Sequence, residues 1–173
     1  MSFKILILQA CTLGALSMPL LAGTTSGELD QTLIGQEWGE NTNTHVLLDH
    51  CTYQKRFDLQ RKQKQLQGLS THSLICDGHY VIVFTVAEAG GGSRILDALT
   101  LPSLQRGESL LHPGECELGG NNDTDFYAVA RFGRRESVNQ KTGLRAAWVP
   151  DPEAGKIRPL SPRNVVCWRP VQP

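Results

Sequence analysis

Short apolar or alternating runs, separated by glycine and proline turns, dominate the chain after its first residues. Residues 79–88 are rich in β-branched and aromatic side chains, which favour strands. In residues 94–101 apolar and polar positions alternate, which predicts a half-buried strand with Ile95 and Leu99 on one face. The glycine cluster at residues 90–92 lies between these runs and predicts a hairpin turn.

The remaining pattern extends the β prediction along the chain. We predict further strands over residues 44–51, 125–132, 143–149 and 164–169, and one short helix over residues 29–34. Strands that recur at short intervals with turn residues between them are typical of all-β proteins. The sequence therefore predicts an all-β fold of antiparallel sheets, arranged as a sandwich or a small propeller-like fold, with at most one or two short helices.

Residues 53–69 fit two different structures. Tyr53 and Phe57 are four residues apart and Leu59 and Leu66 are seven apart, which is partial helical periodicity. Two strands joined around residues 61–64 are the alternative. The basic positions 55–64 suggest lipopolysaccharide, peptidoglycan or nucleic-acid contact, whereas glutamines and an aspartate dilute the charge and favour a solvated face.

The first residues have the layout of a secretory signal peptide. Lys4 gives a positive start, apolar blocks follow, and Ala22 and Gly23 supply small residues near a cleavage point. We therefore expect residues 1–22 to be removed on export to the periplasm, and residues 23–173 to form one disulfide-stapled β-rich domain.

Export sets the expectation for the cysteines. Four cysteines follow the predicted leader, and an even number in an oxidising compartment predicts two disulfides with three possible pairings. We favour a local Cys51–Cys76 bond and a Cys116–Cys167 bond. No C-x-x-C motif is present, so we expect no metal and no cofactor at these residues.

The net charge of the chain excludes few functions, but it does not favour binding to a polyanion. The chain has 17 basic and 17 acidic residues, and without Lys4 the exported part carries one excess negative charge. A near-neutral balance gives no general attraction to nucleic acid. No apolar run after the leader is long enough to span a membrane. We therefore expect neither a nucleic-acid partner nor a membrane span.

One segment stands out as a candidate binding site. Residues 103–114 lie between Pro102 and Pro113, and Cys116 can fix their far end. An apolar, proline-bounded, tethered loop either packs inward or meets a partner. The sequence leaves both alternatives open for the two leucines. The residues assigned to partner binding are Gly107, Glu108, Ser109, Leu110, Leu111 and His112.

Catalytic motifs are lacking in this sequence. Ser109 and His112 lie three residues apart, but a nucleophilic serine needs a base oriented by a third group, and no G-x-S-x-G motif is present. Because no zinc motif occurs either, we expect a binding protein rather than an enzyme.

The chain resembles a family of small periplasmic proteins. The resemblance rests on the leader, the spaced cysteines, and the segments L-P-S-L-Q-R-G-E-S-L, D-F-Y-A-V-A-R-F and A-A-W-V-P-D-P-E-A-G-K-I-R-P-L-S-P-R-N-V-V-C. In this layout it is similar to the immunity proteins that protect users of type VI secretion systems from their own peptidoglycan amidase effectors.

The resemblance implies a β-rich inhibitor whose loop enters the cleft of the cognate effector amidase and covers a Cys–His dyad. The matching loop is residues 107–113, with Ser109 offering a hydroxyl group. A loop held in its bound shape loses little entropy on binding, which agrees with this role. Two alternatives remain open, an inhibitor of lysozyme-type hydrolases and an envelope-binding module that uses the basic residues 55–64.

Overall fold

The computed structural model describes residues 26–38, 48–61, 64–89, 91–121 and 124–170. The predicted signal peptide lies outside the described residues. Within these ranges the chain forms one short helix and a series of antiparallel strands, which confirms the all-β prediction. They are α1 (Ser26–Leu33), β1 (Glu37–Trp38), β2 (Cys51–Arg61), β3 (Lys64–Cys76), β4 (His79–Ala87), β5 (Ser93–Thr100), β6 (Ser109–Leu111), β7 (Cys116–Leu118), β8 (Tyr127–Ala130), β9 (Ser137–Asn139), β10 (Leu144–Asp151), β11 (Lys156–Leu160) and β12 (Val165–Trp168).

The strands form three sheets. Sheet A has the order β1-β5-β4-β3-β2, sheet B the order β11-β10-β8-β6, and sheet C the order β7-β12-β9. Sheet A packs on one face of sheet B, and sheet C packs on the other face, because separate apolar clusters join each pair. The helix α1 covers the outer face of sheet A through a further cluster that includes Leu33. The protein is therefore a stack of layers around sheet B.

Strand β8 explains why the layers stack. All its residues are buried, and successive side chains of a strand point to opposite faces. Tyr127 and Val129 belong to the core between sheets A and B, while Ala128 and Ala130 belong to the core between sheets B and C. The two alanines thus face sheet C, and the larger pair faces sheet A.

The basic segment resolves into a hairpin, so the two-strand alternative holds and the helix is wrong. Strands β2 and β3 are antiparallel, and Arg61 pairs with Lys64 at the end of the ladder. Lys55 and Arg56 are exposed, and Arg56 forms an ion pair of 2.8 Å with Asp58. The predicted strand at residues 44–51 is wrong for residues 48–50, which form a turn, and its earlier part lies outside the described residues.

A bulge overturns the simple alternation predicted for β5. Phe84 pairs with Asp97 and Thr85 with Ile95, so Leu96 is an extra residue in the strand. As a result Ile95 lies in the core under the helix, whereas Leu99 packs in the core between sheets A and B. Strict two-residue periodicity fails wherever one strand carries an extra residue.

Both disulfides have the favoured pairing. Cys51–Cys76 joins β2 to β3, and Cys116–Cys167 joins β7 to β12. The bonded residues are 25 and 51 positions apart, and cross-links over such loops typically stabilise by about 3–4 kcal/mol each. Two disulfide bonds fit an oxidising, extracytoplasmic compartment.

We expect Gly143→Ala to destabilise the protein by about 1–3 kcal/mol, the usual cost of overpacking. A β-carbon at Gly143 would overlap the carbonyl oxygen of Arg131, a backbone atom that cannot move aside. Gly92→Ala is the matched control, because nothing lies within 4 Å of a β-carbon there. Urea unfolding followed by tryptophan fluorescence measures both variants, and equal midpoints would contradict the close packing of β8 on the start of β10.

Candidate functional site

The segment assigned to partner binding divides into a core strand and an exposed loop. Leu110 and Leu111 lie in β6, where their exposed fractions are 7% and 0%. Leu110 packs between sheets A and B, and Leu111 packs between sheets B and C. Neither leucine is available at the surface as an apolar anchor. Both side chains lie in the core, which is one of the two alternatives that the sequence left open.

The exposed part comes just before β6, at residues 102–108, which we call the braced loop. Its tip is a tight turn in which the Glu108 N–H donates to the Gln105 carbonyl at 2.9 Å. The Gln105 N–H donates in return to Glu108 Oε2 at 2.7 Å. Gly107 has a φ of 79°, a conformation that suits glycine and would strain most other residues.

Two arginines from sheet B brace this loop. The Arg145 guanidinium lies 3.0 Å from Glu108 Oε2, and the Glu108 side chain is only 4% exposed. Arg131 donates to Gln105 Oε1 at 3.2 Å. Leu104 packs against the core between sheets A and B. The loop is therefore held in one shape while Arg106, at its tip, remains exposed.

Ser109 and His112, the predicted polar contacts, have different environments. Ser109 is exposed at the start of β6. His112 is half-buried, and its ring stacks on Phe57 with 5.4 Å between centroids. The His112 Nε2 atom lies within hydrogen-bond distance of Ser73 Oγ, at 3.2 Å. Ser109 is therefore a surface group, whereas His112 takes part in an internal contact.

Ser73, His112 and Glu115 lie next to one another as serine, histidine and acid, which is the arrangement of the catalytic triad in serine hydrolases. Glu115 Oε2 accepts a hydrogen bond of 2.7 Å from the backbone N–H of His112. The same oxygen lies 3.8 Å from the ring atom Nδ1, which is too far for a hydrogen bond. Ser73 is completely buried, and a nucleophile has to reach its substrate. The arrangement therefore joins sheet A to the end of β6. Nothing in the local sequence connects Ser73 with His112, because the two lie 39 positions apart and only the fold brings them together.

The pKa of the Glu115 carboxyl reflects opposing effects. Partial burial alone would raise its pKa. Its close contacts with His112, among them the hydrogen bond from the backbone N–H, and the nearby charge of Lys55 bring the pKa below the usual value. The carboxylate form is thus favoured, and it holds the backbone N–H of His112 in place.

A buried polar stripe on β3 was not foreseen from the sequence. It is formed by residues 70–73, all buried although polar. Thr71 faces sheet B and accepts a hydrogen bond of 2.8 Å from the Tyr127 hydroxyl. Ser70 faces the other way and shares a hydrogen bond of 3.0 Å with Thr85. Burial raises the pKa of the Tyr127 phenol, which keeps it a donor.

His72 is the most constrained member of this stripe. Its Nε2 atom lies 3.2 Å from Thr85 Oγ1, and its ring lies 4.6 Å from the Trp38 ring. The buried Nδ1 atom has no hydrogen-bond partner among the residues that the structure describes. Burial, reinforced by the charge of Arg56, lowers the pKa of His72 to about 4. The imidazole is therefore neutral at physiological pH.

An open groove lies at the other end of sheet B from the braced loop. It has a volume of about 270 Å³, with Leu59 and Val149 among its apolar walls and Asp125, Asp151 and Glu153 among its lining residues. Asp151 pairs with Arg158 at 3.2 Å. Over the part of the chain that the structure describes, no three histidine, cysteine or acidic side chains are placed to hold a metal ion.

No family model, curated protein or solved structure matches this chain. Within the described ranges, no helix has the length and apolar character required to cross a bilayer.

We expect the neutral state of His72 to make stability depend on pH. Its pKa is about 4 in the folded protein, against 6.5 for an unperturbed histidine, so the unfolded chain binds the proton first. The contribution of His72 to the free energy of unfolding is complete above pH 6.5 and is lost as the pH falls towards 4. The total loss is about 3 kcal/mol. Urea unfolding at several pH values should show a shallower dependence for His72→Gln. The exposed His79→Gln variant is the control, and identical curves for the native protein and His72→Gln would contradict the assignment.

Glu108→Ala should loosen the braced loop. It removes the acceptor for the Gln105 N–H and the carboxylate that pairs with Arg145, which keeps only the Ser103 carbonyl as an acceptor. Such a loss typically costs about 1–3 kcal/mol. Amide hydrogen exchange at Gln105 and Arg106 should accelerate. The control is Glu88→Ala, which removes an exposed ion pair with Arg94 and should cost less than about 1 kcal/mol. Unchanged exchange in Glu108→Ala would show that the loop is held by other contacts.

Proposed function

We propose that this protein is a periplasmic inhibitor that binds a peptidoglycan hydrolase through the braced loop. More narrowly, we propose that it is the immunity protein of a type VI secretion amidase effector. The observation that carries the proposal is the loop itself, an exposed turn whose backbone and side chains are fixed by Glu108, Arg131 and Arg145.

A fixed loop suits inhibition because binding then costs little conformational entropy. The turn at Gln105–Glu108 has both reciprocal hydrogen bonds in the free protein, so no ordering is required on contact. Arg106 is exposed at its tip, and Ser109 is exposed where β6 begins. These two residues replace the buried leucines as the proposed contacts, with Gly107 permitting the close approach of the backbone.

The location supports the same proposal. Two disulfides suit an oxidising compartment, and the predicted leader would deliver the chain to the periplasm, where peptidoglycan is cleaved. The Ser73–His112–Glu115 arrangement supports binding rather than hydrolysis, because its serine is completely buried. His112 instead fixes the end of β6 that lies opposite Ser109 and the loop.

The test is a titration of peptidoglycan hydrolysis. The chain, exported with its own N-terminal segment and purified, is added to a type VI amidase effector and, in parallel, to a lysozyme. We expect the amidase to lose all activity at one equivalent while the lysozyme remains active. Inhibition of lysozyme alone would establish the host-hydrolase alternative, and inhibition of neither enzyme would refute the proposal for both.

Variants of the tip then test the loop assignment. Arg106→Ala and Ser109→Ala should each weaken inhibition, and the pair should raise the apparent Kd by about 30-fold or more, as expected for residues that dominate an interface. Arg163→Ala is the matched control, an exposed arginine in the turn before β12. Equal inhibition by the double variant and by Arg163→Ala would place the binding surface elsewhere.

A further inference from the structure

Although basic and acidic residues are equal in number along the chain, arginines cluster at one end of sheet B. Strands β8 and β10 are antiparallel neighbours. Arg131 directly follows β8, and Arg145 lies at the start of β10, so both are at one end of the sheet. Asp125 precedes β8 and Asp151 ends β10, so these acids are at the other end, in the groove described above. Lys156 and Arg158 of β11 lie beside them, so the charge at that end is mixed.

Contacts join further arginines to the first end. Gly133 and Arg135, in the turn after β8, both accept hydrogen bonds from the Arg169 guanidinium through their carbonyl groups, at 2.7 Å and 3.0 Å. Arg131 reaches the braced loop through Gln105. We call this surface the arginine end, and its exposed members are Arg106, Arg131, Arg134, Arg135, Arg145 and Arg169.

Few acids offset these guanidinium groups. Glu108 is paired with Arg145, and Glu115 is bonded to His112. Glu136 is the exposed acid of the turn that precedes β9. Over the residues that the structure describes, the arginines at this end outnumber the acids, and clustered like charges destabilise a folded protein. Such an excess is typical of a binding surface.

An exposed aromatic residue adds to this composition. Trp168 is 42% exposed, unusually open for so large an apolar side chain, and it precedes Arg169 at the end of β12. Tryptophan and arginine are the residues most enriched among those that dominate protein interfaces. The arginine end therefore contains both residue types that are enriched in protein interfaces.

We propose that the arginine end docks an acidic surface of the partner protein, with the braced loop at its centre. The inference rests on the proposed function, which makes the partner a folded protein whose anionic groups are carboxylates. Arginine binds carboxylates through paired parallel hydrogen bonds. Complementary charge over such an area steers association and fixes the orientation in which the loop meets its target.

The experiment uses a probe that does not depend on the hydrolase. A fluorescent deca-glutamate peptide is titrated into the full chain at low salt, and backbone amide shifts locate the contact. We expect binding that weakens steeply with salt and shifts concentrated in residues 103–109, 131–136, 145 and 168–169. Shifts elsewhere, or no binding, would overturn the inference.

Charge reversal supplies the matched comparison. Arg106→Glu with Arg134→Glu should weaken peptide binding about 10-fold or more, whereas Arg56→Glu with Arg163→Glu, which changes net charge equally at other places, should weaken it less than about 3-fold. Equal losses would reduce the effect to net charge and overturn the inference. Tighter binding to phosphatidylglycerol vesicles than to the peptide would overturn it in favour of a membrane.

The two proposals fail separately. Loss of peptide binding at the arginine end tests the docking surface whether or not any hydrolase is inhibited. Absence of inhibition with intact peptide binding refutes the proposed enzyme targets and leaves the surface for another acidic protein.

Discussion

The burial of β8 on both faces is the constraint on which the layered structure depends. Tyr127 and Val129 fill the core towards sheet A, while Ala128 and Ala130 form the floor of the core towards sheet C. At about 25 cal/mol per Å² of apolar surface removed from water, a strand covered on both sides contributes to two cores at once. The same strand pairs with β6 on one side and β10 on the other, so its position determines where the braced loop ends.

Buried polar groups between sheets A and B fix the position of one sheet relative to the other. Apolar contacts alone permit sliding, whereas a buried hydrogen bond is lost if its partners move. The Tyr127 hydroxyl reaches Thr71 between sheets A and B, and the Asp97 carboxylate of β5 accepts the backbone N–H of Ile157 in β11 at 2.7 Å. These bonds fix sheet A against sheet B, and the buried His72 ring is the place where this polar interior is least satisfied.

The proposed function uses the rigidity that this interior provides. The loop at residues 102–108 leaves sheet A and enters sheet B at β6, and both of its ends are therefore fixed by the stack. The arginines that brace it come from the adjoining ends of β8 and β10. These ends of β8 and β10 thus supply both the fixed shape of the loop and the positive charge around it. Asp125 and Asp151 lie at the opposite ends of the same strands.

Local pattern alone determined the all-β class and the hairpin at the glycine cluster, because strand propensity and turn chemistry are properties of neighbouring residues, but it left three disulfide pairings open, of which the favoured one is present. It failed for Leu110 and Leu111, whose apolar character is the same in a core as in an exposed anchor. It also failed at Leu96, where a bulge shifts the faces of β5. Ser73 meets His112, and Arg131 and Arg145 meet the braced loop, only because strands distant in sequence become neighbours. The tertiary structure alone decided the contacts of the site, since they depend on which sheets pack together.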